Sequence, residues 1–385
     1  MSENRVVDSK MEIGSILRIN EFIQKMVEQN LDYVVAYFNG VHTFLEPNFN
    51  LQLSGFKSIG ESAVILSKSG ETTLITTPSW DVERAKRDSS TTHVVGTYDL
   101  VEALTEKLQA YAKSPEKIGF IGLDRMNTGN YYKVSRLFNE GINNVTNDFK
   151  GIADVKTDKE IESARKATWI AERGFEKLLE VARPGMYEYQ LAGELVTFMK
   201  SLGADDNFLL MSASSHNQAV RPPRHRKLEP GDIILAEISP GYQRQFSQIC
   251  RSVVLGNENY KQLQEKYHLL VYAMDEGIKA AKPGNRMSDV FYAINKPIEE
   301  AGYAKYCVPP YMRVRGHGLG LSSLLPGDVG MHNDIVLKDG MFFVIHPNQY
   351  MPETGYLLCG EPVLITANGA ETLTNKRASL SMVDL

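Results

Sequence analysis

Two short stretches decide the fold, Gly231-Asp-Ile-Ile-Leu-Ala-Glu237 and Gly340-Met-Phe-Phe-Val-Ile-His346. Each is an apolar run that starts behind a glycine and reaches a polar side chain six positions later. Short apolar runs of branched and aromatic residues bounded by turn glycines predict buried β-strands. A carboxylate or an imidazole at the end of a buried apolar strand is unusual unless it has a specific role. Glu237 and His346 are therefore candidate functional residues.

The sequence in front of the two strands repeats. Ala182-Arg-Pro-Gly185 and a helix closing at Gly203 precede the first strand, and Ala281-Lys-Pro-Gly284 and a helix closing at Gly302 precede the second. In both halves the two glycines lie 18 residues apart. Each Pro-Gly is expected to end one helix and to start the next. The repeat predicts two similar halves, each a helix pair followed by a β-hairpin.

A second apolar run follows each of these strands, and it too carries a polar side chain. The first contains Gln248 and the second contains Glu361. A pseudo-twofold axis between the halves would place Glu237 opposite His346 and Gln248 opposite Glu361. The predicted result is a curved antiparallel sheet with four helices behind it.

The chain ahead of this repeat has a different organisation. Its strands and helices alternate, a pattern that favours an α/β layer domain. The charged stretch Asp154–Glu160 begins a long amphipathic helix. We therefore predict two domains, residues 1–152 and residues 153–385.

The loop Arg313-Val-Arg-Gly-His317-Gly-Leu-Gly320 adds a third element to the candidate site. Glycines on both sides of His317 allow tight turns and leave the imidazole approachable. Arg313 and Arg315 flank the histidine, where they either clamp a substrate carboxylate in bidentate fashion or lie exposed on the surface.

Composition excludes several classes of function. A formal net charge of -5 gives no general reason to bind nucleic acid. The N-terminus has no apolar signal region, and no stretch approaches the ~18 apolar residues of a membrane helix. Three widely spaced cysteines fit reduced thiols in the cytoplasm. A small-molecule substrate is the expected partner.

At this point the chain resembles a known family. Gly231-Asp232, the glycine-bracketed His317, the run Gly340–Pro347 and the closing run Glu361–Gly369 look like the pita-bread-fold enzymes, namely creatinase, Xaa-Pro aminopeptidase (aminopeptidase P), prolidase and their ectoine-hydrolase relatives. The resemblance covers essentially the whole chain. It implies a mixed α/β protein with a creatinase-type N-terminal domain and a C-terminal pita-bread domain. It also implies a homodimer in which the N-terminal domain of one subunit lies near the partner's pocket.

Metallopeptidases of this family hold two divalent metals with Asp, Asp, His, Glu and Glu. The resemblance places these five ligands, in that order, on Glu237, Gln248, His317, His346 and Glu361. Only His317 and Glu361 keep the residue type of the family. Gln248 is neutral and removes a charge that helps to hold a second cation.

The last ligand position is open at this level. Counting back from Gly369 places it on Gly360 rather than on Glu361. The two histidines that usually accompany the site are also displaced in this sequence. His216 and His225 are the candidates to substitute for the first, and His332 is the candidate for the second.

Two physical alternatives follow for the cofactor. One divalent metal (iron, manganese or zinc) binds through His317, His346 and a carboxylate from Glu237 or Glu361. Alternatively the pocket is metal-free, and a histidine activates water by general-base catalysis. The same four residues are the predicted catalytic set. The predicted substrate-binding residues are His216, Gln248, Tyr242, Arg313, Arg315 and His332.

The leading hypothesis for function is a creatinase- or aminopeptidase P-like hydrolase that cleaves a C–N bond in a small amino-acid-derived substrate. Two alternatives stay open, a mononuclear-metal lyase or oxidoreductase that uses two histidines and one carboxylate, and a noncatalytic pita-bread binding module.

Overall fold

The chain divides into two compact units. A computed structural model describes residues 18–111, 114–138, 141–256 and 260–385, so residues 1–17 of the predicted first domain lie outside the described residues. Among the described residues, one unit contains 18–43 with Asn48–Ile152, and the other contains Phe44–Pro47 with Ala153–Leu385. The four residues Phe44–Pro47 thus belong with the second unit, which no sequence pattern predicts.

The first unit is built on a six-stranded sheet of mixed direction. The described elements are α1 (Ile19–Glu28), β1 (Tyr33–Phe38), α2 (Phe49–Ser54), β2 (Ser62–Ser67), β3 (Thr72–Thr76), α3 (Val82–Asp88), β4 (His93–Gly96), α4 (Leu100–Tyr111), β5 (Ile118–Ile121), α5 (Thr128–Ser135), β6 (Asn143–Asn144) and α6 (Thr146–Lys150). The strands run in the order β4-β3-β2-β1-β5-β6, with β1 antiparallel to β2 and parallel to β5. Buried apolar residues from the strands, such as Val35 and Phe120, pack with Leu104 of α4.

The second unit contains two helix pairs and two β-regions. Its described elements are α7 (Asp158–Val181), α8 (Glu188–Ser201), β7 (Asp206–Ser214), β8 (Ile233–Tyr242), β9 (Gln245–Phe246), β10 (Ile249–Leu255), α9 (Tyr260–Ala280), α10 (Met287–Ile298), β11 (Gly316–Gly318), β12 (Phe342–Ile345), β13 (Gln349–Met351), β14 (Gly355–Leu357), β15 (Glu361–Thr366), β16 (Gly369–Thr372) and β17 (Ser381–Val383).

In each helix pair of the second unit, the Pro-Gly dipeptide lies between the end of the first helix and the start of the second. Gly185 lies between α7 and α8, and Gly284 lies between α9 and α10; their φ angles are 91° and 90°. This left-handed backbone favours glycine because it has no Cβ. At its start α7 has a capping box, in which Thr157 and Glu160 each bond the other's backbone N–H.

The strands of the second unit form two principal sheets that meet. One has the order β17-β10-β8-β7, and the other has the order β11-β12-β15-β16. Cys250 of β10 and Gly360, just ahead of β15, exchange backbone hydrogen bonds of 3.3 and 3.1 Å. The polar residues of both sheets are therefore brought together along this seam. Within the described ranges, none of the helices combines the length and the apolar character that crossing a lipid bilayer requires.

Candidate functional site

Glu237 lies inside β8 rather than at its end, because the strand continues to Tyr242. Strand alternation puts Ala236 and Ile238 on the face that packs against α7 and α8. Glu237 points to the opposite face, next to its cross-strand partner Cys250. The Glu237 residue is half-buried, so part of it stays accessible on this face, which we call the pocket side.

Asn348 holds the Glu237 carboxylate. Its Nδ2 donates to Glu237 Oε1 at 3.2 Å, and its own Oδ1 accepts from the backbone N–H of Cys359 at 3.1 Å. Burial raises the pKa of Glu237 to about 7, and the Asn348 hydrogen bond opposes this shift. A carboxyl group with a pKa near neutrality exchanges protons readily at physiological pH.

His317 forms the centre of β11, and close backbone contacts explain the glycines around it. A Cβ at Gly316 would lie 1.9 Å from the Val344 carbonyl oxygen, and one at Gly318 would lie 2.0 Å from that of Leu325. Because a side chain does not fit at either position, both must be glycine. The glycines on both sides of His317 thus have a cause besides tight turns, the close approach of neighbouring backbone.

The His317 ring is oriented by a short hydrogen bond. Nδ1 lies 2.9 Å from the Gly318 carbonyl oxygen, which can only accept, so Nδ1 carries the proton and Nε2 keeps its lone pair. Burial lowers the pKa of His317, which favours this neutral form. Phe44 packs edge-on against the ring, with the centroids 5.7 Å apart.

His346 follows β12 and faces His317, with 5.3 Å between the ring centroids. Burial, together with the neighbouring His317, lowers the pKa of His346 to about 3, so the imidazole is neutral at pH 7. Its Nδ1 is buried and has no hydrogen-bond partner among the described residues. A buried polar atom without a partner is uncommon and suggests a ligand or water contact.

Arg315 lies behind these residues and is fully buried, with 0% of its surface exposed. Its guanidinium donates to four neutral acceptors: Asn295 Oδ1 at 2.6 Å, Gln349 Oε1 at 2.9 Å, the Asn348 carbonyl oxygen at 3.0 Å and Cys307 Sγ at 3.3 Å. These contacts occupy the guanidinium, so the predicted bidentate clamp on a substrate carboxylate is wrong for Arg315.

Glu361 does not reach the site, which corrects the prediction that it is catalytic or a metal ligand. It pairs across the strands with Ile345, so it lies on the face opposite His346. Its carboxylate accepts from Arg251 at 3.0 Å, from the Thr374 hydroxyl at 2.5 Å and from the Ala378 backbone N–H at 2.6 Å. Glu361 is therefore a buried structural partner of Arg251.

Gly360 occupies the position beside His346, as the count back from Gly369 indicated. A Cβ built on Gly360 would lie 2.7 Å from the His346 Cβ and 3.1 Å from the Cys250 Cβ. Neighbouring side chains already fill this position, so it has neither a ligand atom nor space for one. The predicted pairing of Gln248 with Glu361 is replaced by the pairing of Cys250 with Gly360.

The remaining predicted residues are spread over the unit. Gln248 is buried and its Nε2 contacts Cys250 Sγ at 3.3 Å, on the Glu237 side of the sheet. Tyr242 packs on the opposite side, against the core of α7 and α8, so its predicted place in the pocket is wrong. Arg313 and His332 are exposed.

His216 is also exposed, and its contacts are local. Its Nε2 donates to the Pro352 carbonyl oxygen at 3.0 Å, and its ring lies 5.9 Å from that of Tyr350. The contacts described for His216 include neither His317 nor Glu237, and a role in binding stays a prediction.

Sequence reasoning missed Asn348 and Tyr356. Asn348 follows His346 by two residues, between β12 and β13, so only its closeness in sequence to His346 could have pointed to it. Tyr356 gives no such signal: burial and the nearby Glu237 raise the pKa of its hydroxyl, and only the fold makes them neighbours.

The donors in the pocket do not match the two-metal set of the family. Of the five positions, three present potential ligands (Glu237, His317 and His346), one presents a neutral amide and one has no side chain. Within the described part of the chain, no three His, Cys, Asp or Glu side chains are grouped so that they could hold a metal ion. These residues do not fit a dinuclear centre.

Comparison with known proteins connects this pocket to a family. The model of metallopeptidase family M24 matches residues 162–367. The Xaa-Pro dipeptidase of Pyrococcus furiosus is 29% identical over 374 residues, which cover 94% of this chain and 99% of that protein. The uncharacterized peptidase YqhT of Bacillus subtilis is 26% identical over 85% of this chain and 91% of its own length.

Solved structures show the same architecture. An X-Pro aminopeptidase from Thermotoga maritima superposes with a TM-score of 0.83 at 22% identity, covering 95% of this chain and 99% of that one. The prolidase from Pyrococcus furiosus gives a TM-score of 0.78 at 26% identity, covering 92% and 99%. These likenesses confirm the predicted mixed α/β, pita-bread fold.

The family match also confirms the predicted reaction class, a hydrolase of C–N bonds. As a family of metallopeptidases, M24 implies the use of a divalent metal, and the donors present here depart from that expectation. Since the matched region spans more than half of the chain and contains Glu237, His317 and His346, the chain belongs to metallopeptidase family M24.

Proposed function

We propose that this protein hydrolyses the C–N bond of a small dipeptide or dipeptide-like amide, with Glu237 as the group that transfers protons. The observation that carries the proposal is the half-buried Glu237 carboxyl, whose pKa is about 7, held by Asn348 on the pocket side of β8. Relatives named as Xaa-Pro dipeptidases make Xaa-Pro dipeptides the first substrates to test.

The first step is attack by water on the amide carbonyl carbon. The ionised Glu237 takes a proton from the water while the oxygen forms the new C–O bond. Negative charge then develops on the former carbonyl oxygen. Neutral His346 carries one N–H, and we assign that N–H to the developing oxyanion.

The second step returns the proton. Protonated Glu237 gives its proton to the amide nitrogen, the C–N bond breaks, and an acid and an amine are released. His317 has its Nδ1 proton committed to the Gly318 carbonyl, so its free Nε2 lone pair accepts a hydrogen bond from the attacking water. Each proton lost by the water is thus recovered by the leaving group or by solvent.

A panel of amides tests this proposal. Xaa-Pro dipeptides, other dipeptides and N-acyl amino acids are incubated with the protein, and released amines are quantified by chromatography. Glu237→Gln and His317→Ala are each expected to lower kcat at least about 100-fold, the contribution typical of an acid–base group. His317→Ala should leave the melting temperature nearly unchanged.

Matched controls are Glu194→Gln and His268→Ala, because both side chains are exposed on helices of the same unit and should leave kcat unchanged. Full activity in Glu237→Gln would refute the assigned role. Loss of folding in His317→Ala would mean that the imidazole is structural. Tight binding of peptides without any turnover would favour the binding-module alternative.

A further inference from the structure

Glu361 and Gly360 are the two candidates for the last ligand position, and neither offers a carboxylate to a metal in this pocket. The Glu361 carboxylate, at the start of β15, lies behind the sheet and is committed to Arg251. The position beside His346 has no side chain and no space for one. At the five family positions, a metal would thus find a single carboxylate, Glu237, and two neutral imidazoles.

Buried charge gives an independent argument. Arg251 and Arg315 are the two arginines of the second unit that are buried on all sides, with 3% and 0% of their surface exposed. Arg251 has the Glu361 carboxylate at 3.0 Å. For Arg315, the described residues offer neutral acceptors and no carboxylate within ion-pair distance.

The position of Arg315 relative to the pocket matters. Its carbonyl oxygen accepts from the His346 backbone N–H at 2.9 Å, and its guanidinium bonds the Asn348 carbonyl. Asn348 in turn bonds Glu237. Besides burial and His317, the positive charge of Arg315 lowers the pKa of His346, one of the potential metal ligands.

Few of the side chains at the five family positions carry charge. Ionised Glu237 contributes one negative charge, and Gln248 and the two neutral histidines contribute none. The positive charge of Arg315 acts on the pKa of His346 in the direction that opposes a cation there, whereas Asp328 acts in the other direction on His317. Two imidazoles and one carboxylate hold zinc or iron in other proteins, but within the described part of the chain these three side chains are not grouped so that they could hold an ion.

We propose that the pocket of this protein works without a divalent metal, in contrast to the expectation from its family. The inference concerns the same pocket as the proposed hydrolysis. It is tested by metal binding, so it can be checked before any substrate is found.

The test measures metal directly. The protein is purified without chelators and without a metal-binding tag, and manganese, iron, cobalt and zinc are quantified by elemental analysis. Isothermal titration with each metal chloride follows, together with the melting temperature with and without metal. We expect far less than one metal per chain, no saturable binding at the site, and a shift in melting temperature under about 1 °C, since a bound ligand would stabilise the fold.

His317→Ala is the control that locates any binding. About one metal per wild-type chain that is lost in His317→Ala would overturn the inference. Metal bound equally by both proteins lies elsewhere and supports it. Where a substrate is known, unchanged turnover after treatment with EDTA is the corresponding expectation. A protein that binds no metal and turns over no amide would uphold this inference while refuting the proposed function.

Discussion

Replacing Glu237 by glutamine should stabilise the protein at alkaline pH while removing its activity. In the folded chain burial raises the Glu237 pKa from 4.5 to about 7. The folded state therefore binds this proton more tightly than the unfolded state does. The stability that results is fully present below the unfolded pKa, near 4.5, and is lost as pH rises through about 7.

The magnitude follows from the two pKa values. One tenfold change in proton affinity corresponds to about 1.36 kcal/mol, so ionisation of Glu237 lowers the free energy of unfolding by about 2.5 kcal/mol between about pH 5 and about pH 8. Because the side chain is half-buried, solvent screening reduces this to about 2 kcal/mol. Glutamine is neutral throughout and keeps an oxygen for the Asn348 hydrogen bond.

The assay is guanidinium denaturation near pH 5 and near pH 8. Trp80 belongs to the first unit and is exposed, whereas Trp169 lies on α7 of the second unit. A Trp80→Phe background therefore makes tryptophan fluorescence report on the unit that contains Glu237. Glu194→Gln, at an exposed position of α8, is the matched control.

Relative to wild type, Glu237→Gln should be nearly equal in stability near pH 5 and more stable by about 2 kcal/mol near pH 8. Glu194→Gln should show no such difference. If Glu237→Gln is more stable than wild type by the same amount at both pH values, or only near pH 5, the reasoning is refuted. Either result would show that burial does not raise the pKa of Glu237.

Two further substitutions separate structure from chemistry. Glu361→Gln leaves Arg251 buried without a carboxylate, so the same fluorescence assay should show a loss of about 3 kcal/mol in the free energy of unfolding; a loss below about 1 kcal/mol would mean that the pair contributes little. Asn348→Ala removes the hydrogen bond that lowers the Glu237 pKa, so the pH of half-maximal kcat should rise by roughly half a unit. A downward or absent shift in that pH profile would show that Asn348 does not act on Glu237.

Local pattern was enough to find the strands and the histidine loop. The spacing of Gly231 to Glu237 and of Gly340 to His346 is a property of the chain itself. Strand periodicity and glycine content are short-range features, so they can be read without knowing which segments pair. The repeat then predicted two similar halves, and the helix breaks at Gly185 and Gly284 agree with it.

The direction in which a strand residue points is a different kind of property. Side chains alternate along a strand, so moving an assignment by one residue, from Gly360 to Glu361, moves the side chain to the other face of the sheet. Sequence spacing left both positions open. The pairing of Ile345 with Glu361 settles the face, and that pairing joins segments that the sequence does not connect locally.

The chain alone therefore determined that Glu237 and His346 occupy equivalent positions of a duplicated fold and that His317 lies in a separate glycine-flanked loop. Only the tertiary structure decided that Glu361 is a structural partner of Arg251, that Arg315 is buried without a carboxylate, and that Asn348 holds Glu237. The physical reason is that pKa values and ion pairs depend on burial and on contacts between distant segments, which are fixed when the two sheets meet and not before.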